Sequence, residues 1–399
     1  LTALAQSVAD LSAAPGVRVA LDWFRRERLW IQEQHLKLCR IPAATFFEQK
    51  RAEWMAARFR DLEWDAKIDR AGNVVATLER KRDAPLIALT AHLDTVLAPR
   101  SPEEIKVSGD GKLYGPGVSD NGAGLSALLA IAAAWQASKP LDDSALAPVL
   151  IANVGEEGEG NLSGMRYLCR NSGSRIKAFL VLDGPGTDRI TSRALASRRF
   201  DVTITGPGGH SWSDYGVGNP VHALARAVTL FTDRVPSTGP RSSFNFGLIE
   251  GGSSINSIPS EARAKVDLRS ESAGRIDEMA GLLSAAVDEA IVIENNRGTG
   301  RVATKIKEIG SRPGGGLAPD APILEYMRAV DAHLGIRSHL DCSSTDANIP
   351  LSLGIPAISI GTGGQGGGAH TAAEWYQPEG RELGLRRILL ALCLLLTNE

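Results

Sequence analysis

Residues 86–96 read Leu-Ile-Ala-Leu-Thr-Ala-His-Leu-Asp-Thr-Val, an apolar run that leads into His92 and Asp94. A run with so little polar alternation predicts a strand covered on both faces, as in a parallel sheet. It also sets His92 and Asp94 at the carboxyl end of that strand, where open α/β sheets bind their ligands. Outward from it, short apolar runs bounded by turn residues predict strands at 73–78, 148–154 and 178–182. Helical stretches at 122–137 and 161–169 separate them. The first sixty residues carry helical spacing, in Val19, Leu21, Phe24, Leu29 and Ile31 and then Phe46, Phe47, Trp54 and Phe59. Strands alternating with helices mean an α/β fold on a mainly parallel sheet.

Near Arg193 the order changes to strand 198–205, helix 220–234, strands 243–250 and 262–269, helix 273–293 and strand 301–309. That is β-α-β-β-α-β, the ferredoxin-like split unit, and a segment rich in glycine and proline at 311–322 closes it. A helix at 323–334, a strand at 357–360 and a final helix at 379–397 return to the first pattern. The simplest organisation is an α/β domain of residues 1–190 and 312–399 with a small domain, 191–311, inserted into it.

With 44 basic against 46 acidic residues among 399, the net charge is −2, so there is no basic excess to release counterions from nucleic acid. The longest uncharged apolar stretches, 125–135 and 388–396, fall short of the roughly 20 residues of a membrane span. Cys39, Cys169, Cys342 and Cys393 form no CxxC pair, which argues against a disulfide framework or a zinc ribbon and makes the reducing cytoplasm the default. The numbering starts at Leu1, which leaves a removed leader open.

Further ligand-type residues recur at equivalent places. Asp120 precedes the most apolar helix, Glu156 and Glu157 follow the strand at 148–154, Asp183 ends the strand at 178–182, and His370 closes the glycine-rich loop 361–368. Each has an ordinary alternative: a surface contact for His92 and Asp94, a helix cap for Asp120, a solvated turn for the glutamates. Their repetition at one sheet edge is what favours a joint site. The imidazoles of His92 and His370 with the carboxylates of Asp120, Glu157 and Asp183 suit zinc, with cobalt or manganese as substitutes. One carboxylate bridging two ions would make a two-metal hydrolytic centre.

These residues resemble the dinuclear zinc exopeptidases and deacylases, a family that includes peptidase T, glutamate carboxypeptidase, aminoacylase and acetylornithine deacetylase. The matching segments are 91–96, 115–120, Gly155-Glu156-Glu157-Gly158, Asp183, Gly206-Pro207-Gly208-Gly209-His210-Ser211 and His370. The resemblance implies one zinc on His92, Asp120 and Asp183 and another on Asp120, Glu157 and His370, with Asp120 bridging. It implies Asp94 as the hydrogen-bond acceptor for the far nitrogen of His92, Glu156 as general base, and a cis peptide after Asp120.

It further implies that the insert is a dimerisation domain, that His210 reaches the partner's site to stabilise an oxyanion, and that Asn256 and Arg269 contact substrate. His35, His222, His333 and His339 have no ligand partners in the pattern and are read as structural or surface residues. Ser343-Ser344-Thr345-Asp346 is similar to a peptidase T motif, with serines where that motif has glycines. The implied activity is zinc-dependent hydrolysis of short peptides by a homodimer, and aspartate at 183 favours it. The alternatives are a deacylase or carbamoyl hydrolase of N-acyl amino acids and a non-catalytic peptide-binding homologue. Neither nucleic acid nor membrane is an expected partner.

Overall fold

The apolar run at 86–91 forms the strand Leu86–His92, buried along its length, in a computed structural model that describes residues 2–81, 83–141, 144–171 and 175–398. Leucine and alanine are good helix formers, yet here they lie in a strand. Two parallel ladders, to Ala147–Asn153 on one side and Ile176–Leu182 on the other, override that preference. Alternate side chains serve two cores. Ile87, Leu89 and Ala91 pack with the helices of the large core, while Leu86 and Ala88 pack with Leu162, Met165 and Phe179 on the other face.

The chain divides into two compact units, residues 1–194 with 316–399, and residues 195–315. In the first, the sheet runs in the order Asp65–Ile68, Val74–Thr77, Ala147–Asn153, Leu86–His92, Ile176–Leu182, Ala357–Ile360, Arg189–Ala194. The central ladders are parallel, and the strands toward Asp65 are antiparallel. Helix Gly122–Ser138, buried from Gly122 to Trp135, fills the large core beneath the helices Pro15–Arg26 and Arg28–Cys39.

Not all of the apolar residues near the amino end serve that core. Phe46 and Phe47 are 64% and 76% exposed, in the connection before helix Gln49–Asp61. Their spacing in the sequence suggested a helical face, but the chain turns there.

The second unit is an antiparallel sheet in the order Ser242–Gly251, Glu261–Ser270, Ala196–Thr205, Ala303–Arg312. Helices Pro220–Arg234 and Ala273–Arg297 bury one face of it around Phe231, Met279 and Leu283. The β-α-β-β-α-β order and this strand order are ferredoxin-like. Among the described residues no helix is long and apolar enough to cross a membrane.

Candidate metal centre

The first unit gathers His92, Asp120, Glu156, Glu157, Asp183 and His370. Their ligand atoms form three groups, each within 4.8 Å: His92, Asp120 and Asp183; His92, Glu156 and Glu157; Asp120, Glu157 and His370. Asp120 faces both imidazoles with different oxygens. His92 Nε2 lies 3.1 Å from Oδ1, and His370 Nε2 lies 3.1 Å from Oδ2. His370 Nε2 is also 3.1 Å from Glu157 Oε1, and His92 Nε2 is 4.0 Å from Asp183 Oδ1.

Local structure explains how each residue reaches the site. Asn121, not Asp120, caps the buried helix, its Oδ1 accepting the Gly124 N–H at 3.0 Å. Asn121 Nδ2 donates to the Leu182 carbonyl at 2.9 Å, tying the loop to the strand that leads into Asp183. The capping alternative for Asp120 is thereby corrected, and its carboxylate is left to the imidazoles. The Asp120–Asn121 peptide is cis. Gly117 has φ +75°, and a Cβ there would stand 2.4 Å from Thr95 Cγ2, so only glycine fits this turn.

Asp94 departs in part from the implied contact. His92 Nδ1 lies 2.9 Å from the Asp94 backbone carbonyl and 3.5 Å from its carboxylate. The carboxylate is instead taken up by the N–H groups of Glu156 and Glu157 at 3.0 and 2.9 Å and by the Thr45 hydroxyl at 2.9 Å. The carbonyl acceptor keeps a proton on His92 Nδ1. Burial opposes the charged imidazole, but the facing Asp120 and Asp94 carboxylates raise it well above 6.5, so loss of the Nε2 proton is what would free that nitrogen for a ligand role.

The electrostatics are those of crowded acids. Burial and the charge of Glu156 push the Glu157 carboxyl up to about 8. Burial raises Asp120 too, but the hydrogen bonds from His370 and His92 outweigh it and hold the carboxyl well below the usual range. The hydrogen bond to Asp120 is the main cause that lifts His370 to about 9, with burial opposing it. Asp120 Oδ1 is buried against His92 Nε2. Imidazole nitrogens and carboxylate oxygens this close suit divalent cations, which would offset the like charges that burial makes costly.

Sequence reasoning missed two buried acids. Glu374, 2% exposed, accepts the N–H groups of Gly117, Ser119 and Asp120. Its signal was its isolation four residues past His370. Asp346, at the end of Ser343-Ser344-Thr345-Asp346, accepts from Asn153 Nδ2 at 2.6 Å, and burial with the charge of Glu156 pushes it up to about 8. Beside Asp183, a cavity of about 550 Å³ is lined in part by Pro185, Ser343, Ser344, Thr345 and Gln365.

A model of peptidase family M20/M25/M40 matches residues 88–392. The chain belongs to this family. Members are hydrolases, metallopeptidases or amidohydrolases, and typically depend on a dinuclear metal centre. Among curated relatives, an uncharacterized protein, YqjE, of Bacillus subtilis is 24% identical over 83% of this chain and 89% of its own. A succinyl-diaminopimelate desuccinylase of Ruegeria pomeroyi is 27% identical over 51% of this chain and 57% of its own. In fold, the chain is similar to a tripeptidase of Staphylococcus aureus, with a TM-score of 0.75, 20% identity and coverage of 92% and 98%. It is also similar to aminopeptidase PepT of Bacillus cereus, with a TM-score of 0.71, 22% identity and coverage of 90% and 98%.

The second unit of this M20/M25/M40 chain holds the remaining sequence candidates. His210 is exposed, and its Nδ1 accepts the N–H groups of Trp212 and Ser213 at 3.2 and 3.3 Å. That places the ring proton on Nε2, so the imidazole presents a donor outward. His210 pairs with Ser257, next to Asn256, and Ser211 N–H donates to the Asn256 carbonyl. Arg269 stands elsewhere, on the strand Glu261–Ser270, with its Nε on Asp267 Oδ2 at 2.7 Å. His35, read as structural, is fully buried, and His222, His333 and His339 are exposed.

Proposed function

We propose that the chain hydrolyses an amide bond at the end of short peptides, as a di- or tripeptidase or aminopeptidase, using two divalent ions, zinc with cobalt or manganese as substitutes. The observation that carries this reading is the division of Asp120, one oxygen toward His92 and the other toward His370. His92, Asp120 and Asp183 would hold one ion, and Asp120, Glu157 and His370 the other. When bound, the ions supply Lewis acidity that polarises a carbonyl and acidifies a water. Glu156 takes the proton of the attacking water and passes it to the leaving nitrogen. Asp94 orients this base through its backbone N–H. Asn256 and Arg269 contact the substrate.

His210 donates from Nε2 to the developing oxyanion of the partner's site, in a homodimer joined through residues 191–311. The tripeptidase and aminopeptidase names among the fold relatives, together with aspartate at 183, support peptides as substrates. The desuccinylase relative favours a second reading, hydrolysis of an N-acyl amino acid with the same residues. The four cysteines are free, in keeping with a cytoplasmic enzyme. Zinc-loaded protein assayed on di- and tripeptides beside N-acetyl, N-succinyl and N-carbamoyl amino acids tests both readings. Turnover confined to the acylated compounds would replace the first by the second.

A further inference from the structure

The segment that carries Asp120, residues 115–121, has no regular secondary structure, and its backbone is held from far away in the chain. Gly115 N–H donates to the Glu374 main-chain carbonyl at 2.9 Å. Gly117 N–H donates to Glu374 Oε2 at 2.7 Å, and the N–H groups of Ser119 and Asp120 donate to Oε1 at 2.7 and 2.8 Å. A carboxylate taken out of water is costly unless its oxygens are hydrogen-bonded, and charge-assisted bonds to backbone N–H are about twice as strong as neutral ones. This loop therefore has its amides gathered on one buried charge.

The surroundings hold Glu374 in place. Trp375 and Tyr376 pair with Tyr114 and Leu113 in an antiparallel ladder, which sets Glu374 alongside the loop. On the loop's carbonyls, His35 Nε2 donates to Val118 at 2.7 Å, because Nδ1 is taken by an Arg381 guanidinium N–H at 2.8 Å. Glu374 stands four residues after His370, so one short segment brings an imidazole to Asp120 Oδ2 and an acceptor to Asp120 N–H. Glu374 is not in any of the ligand groups found among the described residues.

We propose that Glu374 is the positioning residue for Asp120, setting through three loop amides where the bridging carboxylate stands and hence how tightly the centre holds its ions. This rests on the two-metal reading above. Glutamine at 374 would keep one acceptor oxygen but turn an NH₂ group against loop N–H donors. Aspartate would keep the charge but fall a methylene short.

Zinc titration against a chromophoric chelator, on the full chain and on Glu374→Gln and Glu374→Asp, tests this. Both variants should bind zinc about 10- to 100-fold more weakly, with the circular dichroism of the metal-free protein unchanged. A purely structural role would instead lower the melting temperature and leave the affinity of the folded fraction at the wild-type value. Hydrogen exchange on metal-free wild type covers the case in which the variants do not fold: the amides of Gly117, Ser119 and Asp120 should be protected before zinc is added. Wild-type zinc affinity in Glu374→Gln, or exchange at open-loop rates for those amides, overturns the proposal. A wild-type chain that takes up fewer than two ions overturns the two-metal reading itself, which the titration shows separately.

Discussion

The carboxylate of Asp94 accepts the backbone N–H of Glu156 at 3.0 Å, across 62 residues of sequence. The same side chain takes the Glu157 N–H at 2.9 Å, so the turn after strand Ala147–Asn153 is held against the strand end that carries His92. One buried acid thereby orients a candidate base and a candidate ligand together. Burial opposes its ionisation, but the His92 imidazole beside it and the two amides hold it below the usual carboxylate range. Asp94→Ala should lower zinc affinity or turnover about 10- to 100-fold. Paired titration and kinetic measurements would show this, and unchanged values in both would remove Asp94 from the site.

Metal content is the most direct check on the centre. Elemental analysis of zinc-loaded protein should give two ions per chain, because the ligand set exceeds what one tetrahedral zinc needs. Chelators should abolish hydrolysis, and zinc, cobalt or manganese should restore it. Full activity in demonstrably metal-free protein would sink the two-metal reading.

Glu156→Gln keeps the shape of the side chain but cannot take up a proton. Turnover should fall by about two to four orders of magnitude, the contribution of a general base, while zinc stoichiometry stays at the wild-type value. Near-normal turnover would assign the base elsewhere.

His210, whose Nε2 is left as an outward donor, should act across a dimer. Its removal should cost about a hundredfold or more in turnover, as for an oxyanion donor, without releasing metal. Mixing His210→Ala with Glu156→Gln chains should then recover part of the activity, since a hybrid dimer has one site with both residues. Subunit exchange without recovery, or a fully active monomer, would end the trans-acting role.

His35 supplies a pH dependence of stability. Burial, aided by the Arg381 charge, holds its imidazole well below 6.5, whereas in the unfolded chain it titrates near 6.5. Below that pH the unfolded state binds a proton that the folded state refuses. Stability is therefore fully present above 6.5 and declines as pH falls toward the folded-state value. Relative to His35→Gln, wild type should lose about 1.4 kcal/mol per pH unit in that window. Urea unfolding at pH 7.5 and 5.5 measures it, and parallel behaviour of the two proteins would exclude His35 as the group.

What the sequence by itself determined is what leaves a local trace. The uninterrupted run 86–91, the change to β-α-β-β-α-β spacing after Arg193, and the ligand-type residues at strand ends all follow from periodicity and from where strands stop. Those features decided the α/β architecture and brought His92, Glu157 and Asp183 to notice. Tertiary structure decided which atoms meet. That Asn121 caps the helix and frees Asp120, that the Asp94 carboxylate turns to the amides of Glu156 and Glu157, and that Phe46 and Phe47 lie at the surface depend on how the chain turns between elements. Glu374 is the extreme case, since it grips amides 254 or more residues away. A hydrogen bond over that separation imposes no period and no neighbouring residue type, so only the folded chain brings its two ends together.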